Sequence, residues 1–245
     1  NLIADYISEV SGIELSKEQQ SVNQITLVKD SSLAQEAYQL VVNQQAVTIT
    51  ASNDKGWFYG FQSLKQLIPA DFESANTESI NIVLPSVVIK DEPRFSWRAF
   101  MLDEARHFKG KYQVKLLLDE MASLKMNTFH WHLVDDQGWR IEIKQYPKLT
   151  EIGAYRTNSQ VGPLKWKSNI RSGEPHSGFY TQAEIKELVA YAAEKRITII
   201  PEIGMPGHST AAIAAYPWLG TYKKPIAMPT KFGPGPEVLD VTDPR

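Results

Sequence analysis

The stretch from Trp97 to Arg140 constrains the fold of this chain most strongly, because it holds two short apolar runs on either side of a helical pattern. The first run closes with Met101 and Leu102, and the second, 128–133, is rich in the β-branched and aromatic residues that favour strands. Between the runs, apolar residues recur at helical spacing and predict one stripe facing a sheet: Val114, Leu117, Leu118, Met121 and Leu124. The pattern predicts a βαβ unit with two parallel strands.

Charged side chains follow both predicted strands. Arg106 comes shortly after the first strand, and Asp135 and Asp136 come directly after the second. Parallel strands joined by a helix have their carboxyl ends on one side of the sheet, and ligands bind on that side in barrels and open α/β sheets. We therefore expect Arg106 and Asp135 to face one pocket.

A third strand is predicted at 197–200, followed by Glu202 and a turn that leads to His208. The helix before this strand begins with a capping box, in which Thr181 is followed three residues later by Glu184. Strands and helices therefore alternate, which is typical of a parallel sheet. A neutral histidine can donate from one ring nitrogen and accept on the other, so His208 is a candidate link between two carboxylates.

The chain divides into two parts of different character. The strand-helix alternation starts at Arg94, whereas the residues before it combine hairpin-like runs with a single helix. A short acidic stretch that ends in proline separates the two parts. We predict a small α+β domain over 1–90 and an α/β domain over 94–245.

Local patterns predict the elements of the first domain. The runs 38–42 and 47–50 suit a hairpin with a short loop, and a helix should end at Pro69. A further strand is predicted within 81–88. Residues 1–36 are weakly patterned, and we expect one or two strands there.

Composition excludes several classes of partner. The 245 residues are 42% apolar and 22% charged, with a net charge of -2 and interspersed signs. Such a chain has neither the basic footprint of a nucleic-acid-binding protein nor a polybasic patch for membranes. No apolar run approaches the roughly 18 residues of a membrane-spanning helix. With no cysteine, disulfides and thiolate catalysis are excluded, and we expect a small, largely uncharged substrate.

Three longer runs carry a resemblance to a known family: WRAFMLDEARHF (97–108), NTFHWHLVDDQGWR (127–140) and IPEIGMPGH (200–208). In the same order, they resemble motifs of the glycoside hydrolase family 20 β-N-acetylhexosaminidases, over about residues 38–245. The resemblance implies a small α+β domain followed by a (β/α)8 TIM barrel, of which this chain holds the first three strand-helix units. A complete barrel takes about 250 residues, so we expect this chain to be the N-terminal portion of a larger enzyme, truncated before its barrel closes.

The resemblance implies an exo-acting, retaining enzyme that removes terminal GlcNAc or GalNAc, with no metal and no organic cofactor. In that mechanism the substrate's own acetamido oxygen acts as the nucleophile. Arg106 is expected to clamp sugar hydroxyls, and Asp135 to form a charge relay with His208. Glu202 and Asp136 are candidates for further substrate-binding carboxylates, and Glu202 could equally be a carboxylate of the hydrogen-bonded network around the site. The resemblance also favours a periplasmic or secreted location over a cytoplasmic one.

The sequence departs from the family pattern in one important respect. Family 20 enzymes use an adjacent Asp-Glu pair in an HxGGDE-type motif, and no such motif exists in the 245 residues. We therefore expect the general acid and the orienting aspartate to lie beyond Arg245, and the isolated chain to be inactive. A smaller departure is Gly204, where many relatives carry an acidic residue.

Alternatives remain open for these residues. Arg106 has a structural alternative, an ion pair with Asp103 or Glu104, and Asp136 has one as a structural hydrogen-bond acceptor. His130 and His132 form an HxH pair on one face of a strand, which also suits a metal-dependent barrel hydrolase; our preferred interpretation packs them with Trp131 inside the barrel. A third hypothesis is a non-catalytic, sugar-binding fragment.

Overall fold

The structure is a computed structural model, and it describes residues 2–11, 14–15, 23–69, 82–162, 168–235 and 237–243. The chain forms two compact units, Asn1–Ser96 with Ser123–Lys125, and Trp97–Ala122 with Met126–Arg245. None of the helices in the described ranges has the length and apolar character needed to cross a membrane.

The elements of the first unit, in chain order, are α1 (Leu2–Ser11), β1 (Gln24–Lys29), β2 (Tyr38–Val42), β3 (Ala46–Ala51), α2 (Asp54–Leu67) and β4 (Val87–Asp91). The strands form a four-stranded sheet with the spatial order β1-β3-β2-β4. Strand β1 is parallel to β3, whereas β2 is antiparallel to both β3 and β4. The predicted hairpin is confirmed as β2-β3, and the predicted helix as α2.

The strand expected within 1–36 is confirmed as β1, but the helix α1 at the start of this range was not expected. Ile3 and Ile7, four residues apart in α1, are both buried and form one helical face. Strand β4 begins at Val87, later than the strand predicted within 81–88. The start of that prediction, Asn81, lies outside the described residues.

The elements of the second unit, in chain order, are β5 (Ala99–Asp103), α3 (Lys111–Ser123), β6 (Thr128–Asp135), β7 (Gly138–Trp139), α4 (Lys148–Glu151), β8 (Tyr155–Arg156), β9 (His176–Ser177), α5 (Gln182–Glu194), β10 (Thr198–Ile203), α6 (Thr210–Ala215) and a 3-10 turn (Pro217–Leu219). Three of the strands are parallel neighbours, with the spatial order β10-β6-β5. This arrangement confirms the predicted alternation of strands and helices.

Strand register brings the candidate residues to one level of the sheet. His132 of β6 is paired with Asp103 on one side and with Glu202 on the other. Strand β6 continues to Asp135, so its carboxyl end projects past the ends of both neighbours. The side that parallel α/β sheets use for ligands therefore carries the polar residues.

The two faces of β6 have different roles. His130 and His132 both contact Glu202, so they share a face as predicted. Trp131 lies on the opposite face, because successive strand residues alternate. There it is buried against Tyr180, with ring centroids 4.7 Å apart. The prediction that Trp131 packs with the histidines was therefore wrong.

The predicted capping box at α5 is confirmed. The Thr181 side chain accepts from the Glu184 amide at 3.2 Å, and the Glu184 carboxylate accepts from the Thr181 amide at 3.0 Å. Two N–H groups at the helix start are thereby satisfied. The cap fixes where α5 begins and hence how the chain enters β10.

Candidate functional site

Arg106 spans two carboxylates at the carboxyl ends of β5 and β6. Its Nη1 lies 2.7 Å from Asp103 Oδ2, and its Nη2 lies 2.6 Å from Asp135 Oδ2. Its Nε donates to Gln137 Oε1 at 3.2 Å. The ion pair with Asp103 that the structural alternative called for is present, together with the predicted approach to Asp135. The guanidinium is partly exposed, which leaves it accessible to a ligand.

Asp135 is the centre of the cluster and is only 2% exposed. Its Oδ2 faces Arg106 and also His132 Nε2, at 3.0 Å. Its Oδ1 accepts from the Asp136 amide at 2.6 Å and lies 3.0 Å from His208 Nδ1. Burial alone would raise the pKa of Asp135, but the hydrogen bonds from His132 and the Asp136 amide, with the charge of Arg106, hold it below its usual range. Asp135 is therefore an anion at neutral pH.

His208 meets Asp135 from the turn that follows β10. Its backbone φ is 54°, in the left-handed region that few non-glycine residues adopt and that is frequent at functional sites. Its Nδ1 also lies 3.3 Å from Asp136 Oδ2, and half of the side chain is exposed. A histidine whose Nδ1 donates to a carboxylate presents Nε2 as an acceptor. The geometry therefore suits the predicted relay from Asp135 through His208.

Glu202 lies beside the two histidines of β6. Its Oε2 is 2.5 Å from His130 Nε2 and 2.9 Å from His132 Nδ1. Burial would raise its pKa, but the hydrogen bond and charge of His132 lower it below the ordinary value. About two-fifths of the side chain is exposed. The carboxylate of Glu202 contacts these two histidines, and substrate binding by Glu202 stays a prediction.

Asp136 faces the protein interior. It is fully buried, and its Oδ1 accepts from both the amide and the hydroxyl of Thr210. Its Oδ2 accepts from the Gly235 amide at 2.8 Å. These contacts are those of a structural acceptor, which ties the start of α6 and the loop at Gly235 to the end of β6. The predicted substrate contact of Asp136 stays a prediction.

Two buried arginines that sequence reasoning did not single out support this cluster. Arg140 is fully buried and donates to four backbone carbonyls, those of Glu104, Ala105, Ala154 and Gly178. Burial lowers its pKa to about 10. Arg156 donates to the carbonyls of Arg106, at 2.7 Å, and Gln137, at 3.2 Å. Together they fix the backbone from which Arg106 and Gln137 project.

The site does not fit a metal ion well. Ligand atoms of Asp135, Asp136 and His208 lie within 4.8 Å of one another. However, the oxygens of both aspartates already face N–H or O–H donors, whose hydrogens occupy the positions that a cation would need. His130 and His132 direct one nitrogen each at the same Glu202 oxygen, an acceptor for N–H donors. These contacts favour hydrogen bonding over the metal-dependent alternative.

Comparison with known families agrees with this geometry. The glycosyl hydrolase family 20 catalytic domain matches residues 95–245, and the family's domain 2 matches residues 1–92. The chain belongs to glycosyl hydrolase family 20. The two matches fall on either side of the change of character at Arg94.

Relatives of this family 20 chain include named hexosaminidases. It is 43% identical over 228 residues to a β-hexosaminidase of Porphyromonas gingivalis, which covers 91% of this chain and 28% of that protein. It is 47% identical over 196 residues to a β-hexosaminidase of Vibrio furnissii, which covers 80% of this chain and 30% of that protein. The chain therefore spans about three-tenths of the length of these relatives.

Solved structures of family 20 share the fold. The Streptomyces plicatus N-acetyl-β-hexosaminidase in complex with thio-NAglucal superposes with a TM-score of 0.85 at 35% identity, covering 99% of this chain and 47% of that one. A Vibrio harveyi exo-β-N-acetylglucosaminidase in complex with N-acetylglucosamine gives a TM-score of 0.74 at 39% identity, covering 89% and 33%. Both chain units therefore adopt the mixed α/β fold of the family.

Proposed function

We propose that this chain supplies the sugar-binding and relay half of the active site of a retaining exo-β-N-acetylhexosaminidase. The observation that carries the proposal is the hydrogen-bonded cluster of Arg106, Asp135 and His208. These three residues follow three successive parallel strands, yet they meet at one carboxylate. The substrate would be the terminal N-acetylhexosamine of an oligosaccharide or glycoconjugate, met in the periplasm or outside the cell.

Each of the three groups has a defined task in this reaction. Arg106 offers five N–H donors in a planar fork, which suits vicinal sugar hydroxyls. Anionic Asp135 orients His208, whose second nitrogen then faces the general acid. In the first step, the substrate's acetamido oxygen attacks the anomeric carbon while the general acid protonates the leaving oxygen. The acetamido oxygen and the anomeric carbon then belong to a new ring. In the second step, water attacks the anomeric carbon and opens this ring, so the anomeric configuration is retained overall.

Two catalytic residues of the proposed reaction are not contained in this sequence. Because the 245 residues lack an HxGGDE-type motif, the general acid and the aspartate that orients the acetamide come from protein outside this sequence. The edge strands β5 and β10 carry exposed apolar side chains, which are Phe100, Met101, Ile200 and Ile203. Parallel sheets in proteins are covered on both faces, which supports further strand-helix units completing a (β/α)8 barrel.

Hydrolysis of para-nitrophenyl N-acetyl-β-glucosaminide tests this function. We expect turnover with retention by a longer protein that carries this sequence together with an Asp-Glu motif, and none by the 245 residues alone. The variant Asp135→Asn should lower kcat by about a hundredfold or more, the usual scale for losing support of proton transfer. Turnover by the 245 residues alone, or an unchanged kcat in Asp135→Asn, contradicts the proposal.

A further inference from the structure

His132 lies between two carboxylates. Its Nδ1 is 2.9 Å from Glu202 Oε2, and its Nε2 is 3.0 Å from Asp135 Oδ2. The side chain is only 9% exposed, so water cannot readily replace either partner. A neutral imidazole has a single N–H and can donate to one of these oxygens only, whereas the imidazolium donates to both. The geometry therefore matches the charged form of the ring.

The carboxylates around His132 also favour the charged form of its ring. Asp103 sits level with it on β5, and His130 reaches the same oxygen of Glu202 from the other side. The hydrogen bond to Asp135 raises the pKa of His132 above its ordinary value, and burial only partly opposes this. The pKa values of Asp135 and Glu202 are both lowered. The carboxylates of Asp103, Asp135 and Glu202 favour a cation at His132, and the guanidinium of Arg106, which shares Oδ2 of Asp135, opposes it.

We propose that His132 is a positioning residue, held as an imidazolium between Glu202 and Asp135, that fixes the Asp135 carboxylate for His208. With Arg106 and His132 on Oδ2, the other oxygen of Asp135 is left to face His208. When Arg106 turns its donors to a sugar, His132 is the cation that still holds Oδ2. The positioning role rests on the proposed hexosaminidase function, whereas the charge state of His132 does not.

Ring-nitrogen NMR of the protein tests the charge state without any turnover. We expect both His132 nitrogens to carry protons at neutral pH. Glu202→Gln, a change at a partly exposed side chain, should lower the titration midpoint of His132 by roughly one pH unit, because a neutral amide replaces an anion. His130→Gln, which removes a group on the same oxygen but not next to Asp135, is the matched control and should leave His132 protonated. A neutral His132 ring in the unaltered protein at neutral pH overturns the proposal.

The positioning role is tested by the pH dependence of kcat/KM for the same glucosaminide. His132→Gln removes a positive charge beside Asp135, so groups coupled to Asp135 hold their protons more tightly and the profile should move to higher pH by roughly one unit. His130→Gln should leave the profile in place. A reduced rate with an unmoved profile in His132→Gln overturns the positioning role. If the protein hydrolyses no glucosaminide, the proposed function fails while the NMR result still decides the charge state.

Discussion

The guanidinium of Arg106 and the carboxylate of Asp135 are joined by an ion pair of 2.6 Å, although 28 residues and the whole of α3 separate them in the chain. The pair links the end of β5 to the end of β6 on the ligand side of the sheet. In the proposed function, a sugar hydroxyl would have to compete with carboxylates for the donors of Arg106. Sugar binding would then depend on the shape of the guanidinium fork as well as on its charge.

Replacing Arg106 tests that dependence. Arg106→Lys keeps the charge but loses the planar fork, and we expect the affinity for GlcNAc to fall by about tenfold to a hundredfold, the range for losing hydrogen bonds from a charged donor. Titration calorimetry measures the affinity directly. Arg94→Ala, at an exposed arginine in the first unit, is the control and should bind as before. Unchanged binding in Arg106→Lys would remove Arg106 from the sugar site and leave only its structural ion pair with Asp103.

Arg140 should matter for stability more than any surface cation. Arg140→Met removes the donor from three buried carbonyls, those of Glu104, Ala105 and Ala154, and from the partly buried carbonyl of Gly178. Each unsatisfied buried group costs about 1–3 kcal/mol, so we expect the free energy of unfolding to fall by roughly 3 kcal/mol or more. Urea denaturation measures the change. Arg171→Met is the matched control, because among the described residues its guanidinium donates to the nearby carbonyls of Ser168 and Ile170, which are partly buried or exposed. A loss as large as that of Arg140→Met would show that the buried carbonyls are not the cause.

The sequence predicted the meeting of Arg106, Asp135 and His208 because parallel topology dictates it. Once three strands are known to be parallel and adjacent, their carboxyl ends share an edge, and polar residues that follow each strand must lie there. The resemblance of the three motifs to family 20 then suggested the role of each residue. The register that sets His132 between Glu202 and Asp103 was not predicted, since strand boundaries from sequence are too uncertain to align residues across strands.

Buried arginines escaped prediction for a different reason. Arg140 and Arg156 satisfy backbone carbonyls up to fifty residues away, and no local pattern tells which distant carbonyls lack a partner. The N-terminal helix could have been predicted from the sequence, because the four-residue spacing of Ile3 and Ile7 indicates one helical face. Likewise, strand alternation alone separates Trp131 from its neighbouring histidines.

His176 should make the protein sensitive to acid. Its Nε2 accepts from the Phe108 amide at 2.9 Å, and its ring stacks on His107. Burial, helped by the charge of Arg156, lowers its pKa from 6.5 to about 3. Between these two values the unfolded chain binds a proton that the folded protein does not, so this part of the stability is present above pH 6.5 and is lost as the pH falls toward 3.

His176→Gln tests this pH dependence. A glutamine can still accept from the Phe108 amide but does not titrate, so the free energy of unfolding should decline less steeply on acidification than in the unaltered protein. Denaturation at several pH values between neutral and mildly acidic gives the two slopes. Equal slopes in the two proteins would show that His176 is protonated as readily in the folded state as in the unfolded one.

Gly235 should tolerate no side chain, because it lies against the buried end of β6. A Cβ atom at Gly235 would overlap the Thr210 hydroxyl and approach Asp136 Oδ1 to 2.8 Å. The Gly235 amide also donates a hydrogen bond to Asp136 Oδ2. We expect Gly235→Ala to push the loop away and break this hydrogen bond, which leaves Asp136 Oδ2 with the longer, 3.3 Å contact to His208 Nδ1 and costs about 1–3 kcal/mol of unfolding free energy. Gly204→Ala is the control, since a Cβ atom there meets only ordinary contacts of 3.5 Å or more. If thermal denaturation shows the two variants equally stable, the hydrogen bond from the Gly235 amide to Asp136 does not contribute to the stability of the fold.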